Sequence, residues 1–237
     1  MVPNARIAGY YAVGALLALS IAMRGWPWAG PLLWPAATLA IVAAAYLGLG
    51  PAVYAKRDGR VPLGRRIFFA PTLAGQSISL WHYARTTTPW DPVLPGVIVG
   101  RRLRGSQADA LVAKGVTAVL DLTAEFSEAP VLRRLAYRNI PLLDLTAPTP
   151  ARLEEAVTFI AQQRSRGRTV YVHCKVGYSR TAAVVGAYLI RAGHCATVEE
   201  ALQRLRFARP GIVVRPEALR ALRAACPSPP GPPRASV

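Results

Sequence analysis

Residues 169–181 read Thr169-Val-Tyr-Val-His-Cys-Lys-Val-Gly-Tyr-Ser-Arg-Thr181, and this stretch decides the fold of the second half of the chain. Its first five residues are rich in β-branched and aromatic side chains, which is typical of a buried strand. The residues that follow predict a helix from Thr181 to Arg191. A strand that passes through a short loop into a helix directs several backbone N–H groups at one point, and this arrangement favours phosphate binding.

The loop carries two side chains suited to phosphate chemistry. Arg180 has a planar guanidinium that can bind two phosphate oxygens at once. Cys174 lies in the positive field of the loop, so its thiol should ionise below its usual pKa of about 8.5 and attack phosphorus as a thiolate. Gly177 allows the backbone to curve around the anion. The predicted phosphate contacts come from Lys175, Val176, Gly177, Tyr178, Ser179 and Arg180.

From residue 95 onward, short apolar runs alternate with segments of helical periodicity. Such alternation predicts an α/β domain with a central, mostly parallel sheet flanked by helices. Thr149 followed by Pro150 is a typical helix start. The predicted strands cover 96–100, 116–120, 137–143 and 169–173, and the predicted helices cover 106–114, 128–136, 150–166, 181–191, 197–207 and 216–225.

The loop resembles the signature HCxxGxxR, followed by Ser or Thr, of the cysteine-dependent protein-tyrosine and dual-specificity phosphatase superfamily. The resemblance covers residues 97–222 and includes Ile140-Pro-Leu-Leu-Asp144 and Arg209-Pro-Gly-Ile212. It implies a dual-specificity-phosphatase-like fold and phosphomonoester hydrolysis through a phosphocysteine, with no metal or other cofactor. It also implies that His173 orders the backbone of the loop.

Expulsion of an alkoxide from phosphorus requires a general acid, and hydrolysis of the intermediate requires a base. Asp144 follows a predicted strand 30 residues before the cysteine, in the kind of position that the acid occupies in dual-specificity phosphatases. Asp121, which also follows a strand, is the alternative. Glu125 and Glu128 are expected to be solvated or to begin a helix. Thr181, with Ser179 as a second candidate, can hydrogen-bond the sulfur as it leaves.

The first fifty residues are almost uncharged and predict a transmembrane hairpin with spans over Ile7–Met23 and Pro31–Ala52. The turn between the spans carries Arg24 together with two tryptophans, which suits a membrane interface. The second span is followed by several basic residues, and the positive-inside rule then places both termini in the cytoplasm. We expect a multi-pass protein of a bacterial inner membrane whose catalytic domain faces the cytoplasm. The basic residues are Lys56, Arg57, Arg60, Arg65 and Arg66.

Four segments follow: the hairpin at 1–52, a basic and aromatic connection at 53–94, a phosphatase domain at 95–225 and a disordered tail at 226–237. The connection suits either the lipid headgroup level or packing against the domain. The net charge of +17 favours polyanions, but no nucleic-acid-binding motif accompanies it, so a membrane is expected and nucleic acid is not. Three scattered cysteines indicate a reducing compartment. Cys195 is either incidental or a redox partner of the nucleophile.

The substrate remains open between a phosphorylated lipid and a phosphoprotein, and the sequence does not predict an oligomeric state. Lys175 adds a cation, and HCK openings occur in relatives that act on phospholipids, among them the mitochondrial phosphatidylglycerophosphate phosphatase. Tyr178 stands where lipid phosphatases often have a basic residue. We favour a lipid headgroup because the predicted hairpin anchors the domain beside the leaflet. A phosphate-binding pseudophosphatase, an arsenate reductase and a sulfurtransferase are the other classes with comparable loops.

Overall fold

The computed structural model describes residues 3–226, and two apolar helices open this part of the chain. Helix α1 (Ala5–Arg24) is capped by the Asn4 side chain, which accepts a hydrogen bond from the N–H of Ile7. Helix α2 (Leu33–Ala44) continues through two further helical turns, so that its apolar segment covers Gly30–Tyr54. Both segments are long and apolar enough to cross a membrane, and they pack against each other as a hairpin. Residues 4–54, which include the capping Asn4, are called the hairpin.

The connection is folded into two helices, α3 (Leu63–Phe68) and α4 (Ala70–Ala84), and α4 packs beside α2. The indole N–H of Trp34 in α2 donates to the Phe68 carbonyl at 2.8 Å. The buried ring of Phe69 packs on Tyr54, with ring centroids 4.8 Å apart. The outer faces of α3 and α4 nevertheless expose large apolar side chains, namely Leu63, Ile67, Ile78 and Trp81. The connection therefore packs on the protein and also presents an apolar outer surface.

The sheet contains five strands: β1 (Trp90–Leu94), β2 (Val97–Arg101), β3 (Val116–Thr123), β4 (Ala136–Leu142) and β5 (Thr169–Cys174). They lie in the order β1-β2-β5-β3-β4. Only the edge strand β1 is antiparallel to its neighbour, and the other pairs are parallel. The predicted mostly parallel sheet is thus confirmed, and β1 lies inside the segment treated above as a connection. Because β2 to β5 run the same way, their carboxyl ends meet at one edge of the sheet.

Helices cover the sheet, and α8, which follows β5, is buried along nearly its whole length. The predicted helix over 128–136 is wrong in extent: it shrinks to four residues, because Ala129 is extended and β4 already begins at Ala136. The predicted tail lies outside the described residues apart from Cys226. The helices are α5 (Ser106–Ala113), α6 (Pro130–Arg133), α7 (Pro150–Ser165), α8 (Ser179–Arg191), α9 (Val198–Ala208) and α10 (Pro216–Ala225).

Lys56 is a buried structural cation and not the membrane-flanking charge that the sequence suggested. Its ammonium lies 2.5 Å from the carboxylate of Asp121 and donates to the carbonyl of Thr123 at 2.9 Å. Both side chains of the ion pair are at most 1% exposed. The connection is therefore attached to the interior of the sheet by the cation nearest to the buried Asp121 carboxylate.

Substitution Lys56→Met should lower the free energy of unfolding by about 3–5 kcal/mol, because it leaves a buried carboxylate without its partner. Denaturant unfolding of the detergent-solubilised chain measures this loss. The double variant Lys56→Met/Asp121→Asn should recover part of it. As a matched control, Arg223→Met removes an exposed ion pair with Glu199 and should leave the unfolding midpoint almost unchanged. Equal effects of the two single variants would contradict this account.

Candidate active site

The loop between β5 and α8, here called the phosphate loop (residues 174–180), curls around the sulfur of Cys174. The N–H of Gly177 donates to this sulfur at 3.3 Å. Gly177 has a φ of +79°, and a Cβ atom there would lie 2.4 Å from the carbonyl oxygen of Gly100. Only glycine fits this position without displacing β2. On the outer side of the loop, the carbonyls of Lys175 and Val176 are hydrogen-bonded to Arg102 and Arg209.

The Cys174 thiol is favoured as a thiolate. Burial acts to raise the pKa of Cys174, but the Arg180 guanidinium outweighs it, and the pKa lies below its ordinary value. The Thr181 hydroxyl also favours the thiolate, and within residues 3–226 its buried oxygen has no other hydrogen-bond partner. The Ser179 oxygen is instead held beside the start of α10, where it accepts from the N–H of Arg215 at 2.9 Å, and Ser179 is not among the groups that lower the pKa of Cys174. The geometry therefore favours Thr181 over Ser179 as the group beside the sulfur.

Arg180 is buried and joins three segments at the carboxyl edge of the sheet. Its guanidinium donates to the carbonyl of Leu142, at the end of β4, at 2.7 Å. It also donates to the Glu125 carboxylate at 3.2 Å and to the Asp144 carboxylate at 3.1 Å. The expectation that Glu125 is solvated is wrong: it is 1% exposed because it neutralises the buried guanidinium.

Asp144 lies in the β4–α7 loop (residues 143–149) and faces the phosphate loop. Its carboxylate pairs with both Arg180 and Lys175. Burial acts to raise the pKa of Asp144, but Arg180 and then Lys175 outweigh it, so the pKa lies below its ordinary value. With 21% of its side chain exposed, Asp144 borders the solvent-accessible pocket, whereas Asp121 is fully buried. Of the two candidates for the general acid, Asp144 can be reached from the pocket and Asp121 cannot.

A buried ionic cluster lies behind the phosphate loop. His173 Nε2 is 2.6 Å from the Glu128 carboxylate and 3.8 Å from that of Asp121, and its Nδ1 is 3.3 Å from the Cys174 carbonyl. Burial acts to lower the pKa of His173, but Glu128 and Asp121 outweigh it and raise the pKa. Glu128 is 4% exposed, which corrects the expectation of a solvated residue. The two carboxylates of this cluster could in principle ligate a metal, but they are already neutralised by His173 and Lys56.

Arg209 is a buried residue that supports the phosphate loop, and the sequence alone did not predict this role. It is 2% exposed and donates to the Val176 carbonyl of the phosphate loop at 3.0 Å. It also pairs with Asp91 in β1, and its guanidinium lies 5.7 Å from the ring centroid of Tyr178. The motif Arg209-Pro-Gly-Ile212 was a signal for it, but only the fold brings these residues to the loop.

A cavity of about 240 Å³ opens in front of the sulfur. The phosphate loop forms its floor and Asp144 forms part of its side. Ser79 and Tyr83 of α4 form another wall, and the Tyr83 ring packs edge-on against Tyr178 with centroids 6.0 Å apart. The pocket is therefore built jointly by the sheet edge and by the helix that packs beside α2.

Comparison with known proteins assigns the family. A family model described as the dual specificity phosphatase catalytic domain matches residues 97–226. The chain belongs to the dual specificity phosphatase family. This membership confirms the predicted resemblance to cysteine-dependent phosphatases, a family of hydrolases, and the predicted fold class.

Two curated proteins show how similar this dual specificity phosphatase is in sequence to known relatives. The chain is 31% identical over 169 residues to the Homo sapiens protein named phosphatidylglycerophosphatase and protein-tyrosine phosphatase 1, and the match covers 67% of this chain and 84% of that protein. It is 33% identical over 122 residues to dual specificity protein phosphatase 12 of Homo sapiens, over 50% of this chain and 36% of that protein. The chain thus spans little more than a third of the length of the latter.

Two solved structures are also similar to this chain in fold and sequence. PTPMT1 in complex with PI(5)P is 26% identical, with a TM-score of 0.53, over 58% of this chain and 94% of that one. Tk-PTP in its active form is 25% identical, with a TM-score of 0.52, over 58% of this chain and 95% of that one. Both matches cover little more than half of this dual specificity phosphatase.

Because the thiolate is the reactive form of a cysteine, iodoacetamide should label Cys174 at pH values below the ordinary pKa of a thiol. Burial raises the pKa of Cys195, so this residue serves as an internal control that reacts only at higher pH. Peptide mapping after timed labelling across a pH series measures both sites. Equal pH dependence at the two cysteines would contradict the proposed activation of Cys174.

Proposed function

We propose that the chain is a membrane-anchored phosphatase that hydrolyses a phosphomonoester on a lipid headgroup through a phosphocysteine. One observation carries the proposal: the Cys174 sulfur, the Arg180 guanidinium and the Asp144 carboxylate line a single pocket whose wall includes α4. A nucleophile, a phosphate-binding cation and a titratable acid in one pocket are the three groups that this reaction requires.

In the first step, the Cys174 thiolate attacks phosphorus while the phosphate loop and Arg180 bind the phosphoryl oxygens. The S–P bond forms as the P–O bond to the alcohol breaks, and Asp144 gives its proton to the departing oxygen. In the second step, a water oxygen attacks phosphorus and Asp144 accepts the proton of that water. The S–P bond breaks, and the thiolate leaves with a hydrogen bond from the Thr181 hydroxyl.

The ion pairs of Asp144 explain how its protonation can be coupled to substrate. Arg180 and Lys175 hold the carboxylate in its charged form, whereas the first step needs the acid. A phosphate dianion on the phosphate loop competes for the same two cations. Its arrival removes the interactions that lower the pKa of Asp144 and adds a negative charge nearby, so that protonation becomes favourable.

Membrane anchoring is supported by the distribution of exposed apolar side chains. Nearly all large apolar residues with high exposure lie between Tyr10 and Tyr83, and only Phe207 and Val213 lie further along the chain within the described residues. This exposed apolar surface continues from the hairpin onto α3 and α4. A lipid environment satisfies such a surface, and its basic flank suits an anionic leaflet. We infer a bacterial inner membrane with the catalytic domain on its cytoplasmic face.

The lipid headgroup is supported by the neighbourhood of the pocket and by one kind of relative, known from both its sequence and its structure. Helix α4 connects the pocket wall to the hairpin side of the molecule, and Lys175 contributes a cation beside the nucleophile. One similar protein is named a phosphatidylglycerophosphatase, and one similar structure holds PI(5)P. A phosphoprotein is the second candidate, because the same relative is also named a protein-tyrosine phosphatase and another is a dual specificity protein phosphatase.

An assay of the full chain in bicelles containing EDTA tests both substrate classes. It compares phosphatidylglycerophosphate, phosphoinositides and phosphotyrosine peptides at equal phosphate concentration. We expect the highest kcat/KM on a phospholipid and no effect of the chelator. Variant Cys174→Ser should be inactive on every substrate, with Cys195→Ser as the matched control that keeps activity. A clear preference for phosphotyrosine peptides would overturn the lipid assignment, and full activity of Cys174→Ser would overturn the mechanism.

Substitution Lys175→Gln should shift the basic limb of the kcat/KM profile to higher pH. Asp144 donates only when protonated, so activity falls as the pH rises through its pKa; loss of a neighbouring cation raises that pKa. The matched control is Arg215→Gln. Arg215 also lines the pocket, but among the described residues the ion pairs of Asp144 are with Lys175 and Arg180 only. If both variants give the same profile as the unmodified chain, Asp144 is not the group that titrates.

A further inference from the structure

The β4–α7 loop, which carries Asp144, is bound to the hairpin at two consecutive carbonyls. The Tyr46 hydroxyl donates to the carbonyl of Asp144 itself at 2.7 Å. The Asn4 side-chain amide donates to the carbonyl of Leu145 at 3.1 Å. Both donors lie outside the region that matches the family model, which begins at residue 97.

The two donors are themselves linked, so the loop is held by one connected unit. The Asn4 N–H donates to the Tyr46 carbonyl at 3.0 Å, which joins the residue before α1 to the helical turn that follows α2. The Asn4 side-chain oxygen caps α1. The Tyr46 ring is 3% exposed and stacks on Tyr11 of α1, with centroids 5.6 Å apart. Contacts with α1 and with Asn4 therefore hold the Tyr46 side chain in place.

The conformation of the loop requires support of this kind. Leu145 has a φ of +59°, a left-handed conformation that costs a residue with a side chain about 1–2 kcal/mol. The preceding Leu143 is 2% exposed and is buried in a cluster with Ala8, Tyr46 and Phe69, not in the main core beneath the sheet. Asp144 thus lies between Leu143, which packs against the hairpin, and Leu145, whose strained backbone is held by a hydrogen bond from the hairpin.

We propose that the hairpin positions the general acid, and that Tyr46 and Asn4 are positioning residues that act on Asp144 through its backbone. The inference rests on the proposed function, in which Asp144 protonates the leaving group. It goes beyond anchoring, because the membrane segments become part of the catalytic geometry. Any change in how α1 and α2 pack would move Asp144 relative to the Cys174 sulfur.

Leaving-group dependence distinguishes this role from a general structural one. A nitrophenolate departs without much help from an acid, whereas an alkoxide requires protonation. Variant Tyr46→Phe keeps the ring and removes only the hydroxyl. It should lower kcat/KM on phosphatidylglycerophosphate roughly 3- to 10-fold, the loss that corresponds to one hydrogen bond. With p-nitrophenyl phosphate, kcat/KM should change less than about 2-fold. The ratio kcat/KM is the right measure because it reports formation of the phosphocysteine and not its hydrolysis, which is the same step for both substrates.

The matched control is Tyr11→Phe, which removes a hydroxyl from the same ring pair. Within residues 3–226 that hydroxyl makes no hydrogen bond, and the variant should leave both rates unchanged. Asn4→Ser is a second test, since it keeps an oxygen to cap α1 but is too short to reach Leu145, and it should show the same selective loss. It also keeps the proposal testable if Tyr46→Phe does not fold.

Variant Asp144→Asn separates this inference from the function on which it rests. If Asp144→Asn lowers kcat/KM equally on both substrates, the assignment of the acid fails. If Asp144→Asn is selective but Tyr46→Phe and Asn4→Ser are not, the acid stands and the positioning role of the hairpin is wrong. An equal loss on both substrates for Tyr46→Phe likewise overturns the proposal, because it indicates a general structural effect. Selective loss in all three variants supports it.

Discussion

The buried guanidinium of Arg180 is the interaction on which the rest of the site depends. It belongs to the first turn of α8, yet it reaches the end of β3 through Glu125, the end of β4 through the Leu142 carbonyl, and the β4–α7 loop through Asp144. A buried charge of this kind is tolerated only when carboxylates and carbonyls neutralise and solvate it. The three segments are therefore held at the positions where their polar groups can accept hydrogen bonds from the Arg180 guanidinium.

A second group of buried charges lies behind the phosphate loop, in addition to Arg180 and its partners. Asp121, Glu128 and His173 surround the base of the phosphate loop, and Lys56 enters from the connection to balance them. Since the desolvation cost of each charge is offset only by its partners, removal of any one would destabilise the loop that holds the nucleophile. The connection is thus a part of the fold of the catalytic domain as well as a link to the hairpin.

The hairpin adds a third constraint. In a two-helix hairpin the start of the first helix lies beside the later part of the second. Here Asn4 lies just before α1, Tyr46 lies just after α2, and both donate to the β4–α7 loop. The pocket consequently lies where the apolar helices meet the sheet, with α4 forming one wall. This arrangement is consistent with the proposed lipid substrate, because the helices that we propose to span a membrane lie next to the pocket.

The local pattern of residues determined the elements and the reactive loop. Alternating apolar runs predicted the parallel strands, and the spacing of Cys174, Gly177 and Arg180 predicted a phosphate-binding loop, because both depend on near neighbours in the chain. Glu125, Glu128, Lys56 and Arg209 were misjudged or left without a role. Each is a charged residue whose burial depends on a partner 45 or more residues away, as with Arg180 and Glu125, separated by 55. Only the tertiary structure decides such pairs, since a charge becomes buried when folding supplies its counter-charge.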